Sequence, residues 1–103
     1  MYRVRLYQEV IYGHFREFME VANSFKALLR DRGWVEGTIW VPVAGQGNIV
    51  VWETDYPDLA SFQRESEAYY ADKEAMDLVR QFSPHIVQGS VKTELLEEAP
   101  SIA

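Results

Sequence analysis

Cysteine is absent from the 103 residues, which removes disulfides, thiolate catalysis and zinc-cysteine sites together. No apolar run approaches the roughly 20 residues that a bilayer-spanning helix needs, so no membrane segment is expected. Clustered basic charge is missing too: Lys and Arg number 10 against 16 Asp and Glu, for a formal charge of -6. Without a basic patch there is no counterion release to drive binding to phosphate backbones, and the acidity also opposes anionic membrane surfaces. Neither nucleic acid nor a membrane is expected as a partner. The opening residues lack the apolar core and small-residue cleavage site of a secretion signal, so the expected location is cytoplasmic. Histidine is scarce, with only His14 and His85. No His-x-x-x-His pair or spaced carboxylate set offers three converging ligands, and neither a metal nor a cofactor is expected. Gly45-Gln46-Gly47 lacks the lysine and the length of a phosphate-binding loop.

What the chain does have is apolar bulk: 48% hydrophobic and 14% aromatic residues. That is enough for one core and too little for two ordinary domains. A single domain over residues 1–97 with a tail at 98–103 is expected. A domain of this size buries only about two-thirds of its unfolded surface, so some aromatics must line a pocket or an interface.

Hydrophobic periodicity gives the order of elements. From Tyr2 to Ile11, Val4, Leu6 and Val10 alternate with Arg3, Arg5, Tyr7 and Glu9, which is the period of a strand. Phe15, Phe18, Ala22, Phe25 and Leu29 then recur every three or four residues, as on a one-sided helix that Gly33 can end. Trp34–Val43 and Ile49–Trp52 read as two strands of a hairpin joined through Ala44-Gly45-Gln46-Gly47. Pro57 suits the first position of a second helix with Asp58 in its first turn, and Asp72 looks like a fresh N-cap, so a break is expected near Ala71. Pro84 should push Ser83 out of helical space. A last extended stretch runs from His85 to Leu96, with Gly89 marking a bulge.

Strand, helix, strand, strand, helix, strand is the ferredoxin-like βαββαβ plan: an α+β fold with a four-stranded antiparallel sheet and two helices on one face. The other face is left bare. It should carry Arg3, Arg5, Tyr7 and Glu9 and, if register permits, Glu36, Thr38 and Trp40. Burying such a face against a second copy removes apolar surface at about 25 cal/mol per Å², so a homodimer is expected, with Arg5, Tyr7 and Trp40 at its interface. Arg3 or Arg5 would then need Glu9, Glu36 or Glu53, because an unpaired buried charge is strongly unfavourable.

The opening Tyr2-Arg3-Val4-Arg5-Leu6-Tyr7, Gly13 after the first strand, and Val50-Val51-Trp52-Glu53 through Tyr56-Pro57-Asp58-Leu59-Ala60-Ser61-Phe62 all carry one resemblance. So does Tyr69-Tyr70-Ala71-Asp72-Lys73-Glu74-Ala75-Met76. The chain resembles the dimeric α+β barrel superfamily, and within it the NIPSNAP-like proteins. That resemblance implies two sheets closing into a barrel with a cleft between sheet and helices in each subunit. Its members include heme-degrading and cofactor-independent monooxygenases, isomerases and proteins of unknown role. The heme-degrading members use a histidine on the second helix, a first-strand asparagine and a nearby tryptophan. Residues 59–82 contain neither His nor Trp, and the first strand offers Gln8 but no Asn, so that route is set aside.

Two readings of different class remain. One is a dimeric protein that binds a small hydrophobic or aromatic molecule, with Gln8, Trp52, Tyr69, Tyr70 and His85 as the ligand-binding set. The other is a cofactor-independent monooxygenase or isomerase acting on a small aromatic or polyketide-like substrate, with His85 the best candidate for a catalytic proton acceptor. The aromatics can be core and interface alone, His14 an ordinary surface or capping residue, and the acidic run from Asp55 to Asp77 a solvated helix face.

Overall fold

The computed structural model describes residues 1–45 and 47–101, and in it the alternating start of the chain becomes strand β1, Tyr2–Glu9. Its helix-facing side carries Leu6, Gln8 and, just past its end, Val10. Helix α1, Phe15–Arg32, lays Phe18, Ala22, Phe25, Leu28 and Leu29 inward. Phe15, at its first residue, precedes the buried stripe and stays 45% exposed. Gly33 ends the helix at φ +72, and the Trp34 N–H reaches back to the Leu29 carbonyl at 2.9 Å. That left-handed cap is the role the glycine was expected to fill.

Strands β2, Thr38–Trp40, and β3, Ile49–Tyr56, form the hairpin. Helices α2, Leu59–Ala71, and α3, Lys73–Phe82, follow, then a 3-10 turn at Ser83–His85 and strand β4, Lys92–Glu97. The sheet is antiparallel in the order β2-β3-β1-β4, the ferredoxin-like arrangement. Phe18, Phe25 and Leu29 of α1 and Phe82 of α3 close on Val50 and Trp52 of β3, so α1 and α3 lie on one face of the sheet. Each such side chain, fully buried, contributes about 1.5–3 kcal/mol.

The second helix divides at Asp72, close to the expected break. The Asp72 carboxylate accepts from the Ala75 N–H at 3.0 Å, while Arg32 from the end of α1 donates to it at 2.9 Å. Four boundaries differ from expectation. The second strand pairs over three residues only: Gly37 holds φ +74, and a Cβ there would lie 2.5 Å from the Glu53 carbonyl and overlap Thr54. At the other end Pro42 has no N–H to give the ladder. Asp58 is the N-cap of α2, accepting from the Ser61 N–H at 2.7 Å, rather than a first-turn residue. Ser83 keeps helical angles despite Pro84, because its own N–H still bonds the Arg80 carbonyl. His85 lies in the 3-10 turn and not in a strand; Gly89, at φ +81, serves the turn before β4 rather than a bulge within it.

Candidate functional site

The direct cross-strand partners set out two faces of the sheet. On the bare face Arg3 stands opposite Asp55 and Leu96, Arg5 opposite Glu53 and Glu94, and Tyr7 opposite Val51 and Lys92, with Trp40 beyond Val51. Arg3 grips Asp55 with both arms, Nε to Oδ1 at 2.8 Å and Nη2 to Oδ2 at 3.0 Å, and Arg5 Nε donates to Glu53 at 2.9 Å. The Arg3 guanidinium holds the Asp55 carboxyl below the usual carboxylate range. The Glu94 carboxylate beside Tyr7 retains its phenolic proton and raises its pKa, while the Lys92 ammonium sits 5.6 Å from that ring's centre. Of the three acids considered for the arginines, Glu53 is the one used. Glu9 accepts from Asn48, and Glu36 lies before the ladder, where it pairs with Arg30 of α1 at 2.7 Å. Trp40 is 55% exposed and Tyr7 half-buried, both on this face.

On the helix side the expected ligand-contacting residues fall into two groups. Trp52 is buried in the core and gives its indole N–H to the Glu36 carbonyl at 2.9 Å. Phe25 meets Trp52 edge-on at 5.5 Å and Tyr69 at 5.8 Å, and Tyr69 in turn meets Trp34 and Tyr70. Burial pushes the Tyr69 hydroxyl up to about 12. Tyr70 itself is mostly in solvent. Gln8 is buried on β1 opposite Val50, two pairs further along than the Leu6–Trp52 pair.

His85 is elsewhere, and its neighbour is the one sequence reasoning treated as ordinary. Nδ1 of His85 lies 3.1 Å from Nδ1 of His14, with ring centres 5.4 Å apart. Three backbone bonds of 2.9 Å fix the pair: Ile11 N–H to the His85 carbonyl, His14 N–H to the Ile11 carbonyl, and Phe18 N–H to the His14 carbonyl. The signal for it was in the topology. His14 follows β1 and His85 precedes β4, and antiparallel β1 and β4 bring those two ends together.

Open grooves mark the surface formed by the described residues. One, of about 690 Å³, is lined by Ile11, Pro84, Ile86, Val87 and Val91, with His85 itself outside the lining. Another, of about 520 Å³, runs between α1 and α3 past Leu28, Leu78 and three acids. Those acids, Asp31, Glu74 and Asp77, are already paired with Arg32 and Arg80. Gln8, Trp52, Tyr69, Tyr70 and His85 line neither groove. Among the described residues no three His, Asp or Glu side chains gather as metal ligands, and no helix is long and apolar enough to cross a membrane.

No protein-family model and no curated protein matches the chain. Solved structures do match it. An uncharacterised NIPSNAP domain protein from Burkholderia xenovorans superposes with a TM-score of 0.81 at 17% identity, over 100% of this chain and 99% of that one. A NIPSNAP family protein from Agrobacterium tumefaciens gives 0.75 at 14% identity, over 95% of this chain and 92% of its own. An antibiotic biosynthesis monooxygenase gives 0.74, also at 14%, over 97% of this chain and 100% of its own. At such identities the likeness is one of fold: the chain has the ferredoxin-like α+β fold that these NIPSNAP and monooxygenase structures share.

Proposed function

We propose that this protein works as a homodimer whose bare sheet faces close on each other, each subunit holding a small apolar or aromatic molecule beside its helix–sheet interface. The observation that carries the dimer is the state of the charges on that face. Arg3 and Arg5 are already bonded to Asp55 and Glu53 within one subunit, so a second copy can cover these two arginines without leaving either of them unpaired. Covering the face also withdraws Trp40, Tyr7, Val51 and Leu96 from water. Light scattering at micromolar concentration should give twice the chain mass of 11.9 kDa; a mass equal to one chain sinks the dimer.

The apolar groove at Ile11 supports the ligand half, since Ile11, Pro84, Ile86 and Val87 form a surface that water wets poorly. Of the expected ligand set, His85 lies in the chain between the groove residues Pro84 and Ile86, and Gln8 is the buried polar side chain on the strand that leads to Ile11. Titrating 1-naphthol should shift the methyl resonances of Ile11, Ile86 and Val87, and shifts confined to other residues would remove the groove from the reading. The contact between His14 and His85 favours a second reading, a cofactor-independent enzyme acting on a small aromatic or polyketide-like substrate, in keeping with the fold's resemblance to an antibiotic biosynthesis monooxygenase.

A further inference from the structure

One edge of the sheet carries a run of apolar residues that the subunit does not cover. Trp40, Val41, Pro42 and Val43 follow one another where β2 leaves the sheet, and Trp40, Val41 and Val43 are 55%, 46% and 100% exposed. Single exposed apolar residues are ordinary, but four in succession make a contact surface. At the opposite edge, beside the start of β4, lies the open groove of Ile11, Pro84, Ile86, Val87 and Val91. Sites for small molecules enclose about 70–90% of the ligand's surface, and an open groove does not. It lacks an outer wall.

Both features sit at the same end of the sheet. Trp40, Val51, Tyr7 and Lys92 stand in one row across it, and Val41–Val43 continue beyond that row just as Val87–Val91 precede it. Sheets packed face to face and aligned can be related by a two-fold axis across the strands or along them. Charge decides between the two. An axis across the strands, through the middle row, sets Glu53 on Glu53, Arg5 on Arg5 and Glu94 on Glu94, which repel. An axis along the strands, between β3 and β1, sets Glu53 over the partner's Arg5, Asp55 over the partner's Arg3 and Thr38 over the partner's Glu94. That second axis also lays β2 over β4 of the other copy, so Trp40 covers the partner's Lys92, itself a favourable pairing of ring and cation. The residues after Trp40 then lie over those before Lys92.

We propose that the groove is a site of two subunits: the Val41–Val43 arm of one copy closes the groove at Ile11, Val87 and Val91 of the other, and the small apolar molecule is held between them. This rests on the homodimer reading of the bare sheet face. Val10 and Ile86 form an antiparallel bridge and both pack on the helix-side core, so alternation turns their neighbours Ile11 and Val87 toward the bare face, from which the partner approaches. Gly89 leaves room beside them, since a Cβ there would meet no atom within 4 Å.

The chain has no cysteine, so a pair introduced as Val43→Cys and Gln88→Cys can be read without background. Both positions are exposed, and Gln88 lines the groove. With a short bis-maleimide the double variant should run as a covalent dimer on a denaturing gel, and either single variant as one chain. A double variant that stays one chain, while sedimentation gives twice the chain mass, overturns the arm's placement and leaves the homodimer standing. Sedimentation at one chain mass removes both. For the shared site, Val41→Ser combined with Val43→Ser should weaken 1-naphthol binding about tenfold at concentrations where the variant is still dimeric. Unchanged affinity in that dimer overturns the shared site. If the parent binds no 1-naphthol, the shared site falls together with the small-molecule reading, and a positive cross-link then marks the arm as a dimer contact alone.

Discussion

Phe18 and Gly37 show how different kinds of necessity act at single positions. Phe18 has no exposed surface and packs against Phe82 at 5.3 Å between ring centres, so truncation leaves a cavity bounded by α1, α3 and the sheet. Phe18→Ala should lower unfolding free energy by about 3–5 kcal/mol in urea titration, the range for a buried phenylalanine; a loss under about 1 kcal/mol would mean the site collapses to fill itself. Gly37 is required for a backbone reason. Its φ of +74 is one that side chains rarely adopt, and a new Cβ would run into the β3 backbone at Glu53. Gly37→Ala should therefore destabilise by at least about 1 kcal/mol. Amide exchange should show protection lost first in Thr38–Trp40, whereas uniform loss across the sheet would deny Gly37 this local role.

At the scale of elements, the join between α2 and α3 concentrates charge. Asp72 caps α3 and receives Arg32 from α1; the Arg32 contact first, then the Ala75 N–H, hold its carboxyl below the ordinary value of 3.8. A depressed acid stabilises the fold above its unfolded pKa, and that contribution fades as pH falls through the folded one. Asn caps a helix as well as Asp does, so Asp72→Asn removes mainly the ionic contact. The melting temperature should drop by a few degrees at pH 7, and the gap to the parent should narrow as pH falls below about 4. A gap of constant width would show that the Arg32 contact adds nothing. This join was legible because a cap is local: Asp72 and Ala75 lie three residues apart. The ends of β2 and β4 were not, since Gly37 is placed by its approach to β3 and the 3-10 turn by the hydrogen bond from the Ile11 N–H to the His85 carbonyl, neither of which alternation records. The site was half legible for the same reason. His85 stood out as a candidate, but its meeting with His14 depends on β1 and β4 lying side by side, a long-range fact that only the element order carries.

At the scale of the whole molecule, the proposed dimer would place the ion pairs of the sheet face where water cannot reach them, and that changes what they are worth. On an exposed surface such a pair contributes about 0–1 kcal/mol. Glu53 is the shared acceptor here, 2.9 Å from Arg5 and 3.6 Å from Arg3, and is itself mostly shielded. Glu53→Gln would leave Arg5 without its carboxylate between two sheets, and the dimer should dissociate at least about tenfold more readily by sedimentation equilibrium. Removing both partners has the opposite logic. Arg5→Leu together with Glu53→Leu deletes the stranded charge and adds apolar surface, while Arg3 keeps its two-armed grip on Asp55. The double variant should therefore associate as tightly as the parent or more so, and Trp40→Glu, which puts a new unpaired charge on the same face, should give monomers. If Glu53→Gln and Trp40→Glu both leave the assembly unchanged, the subunits meet through some other surface and the bare sheet face is simply a solvated one.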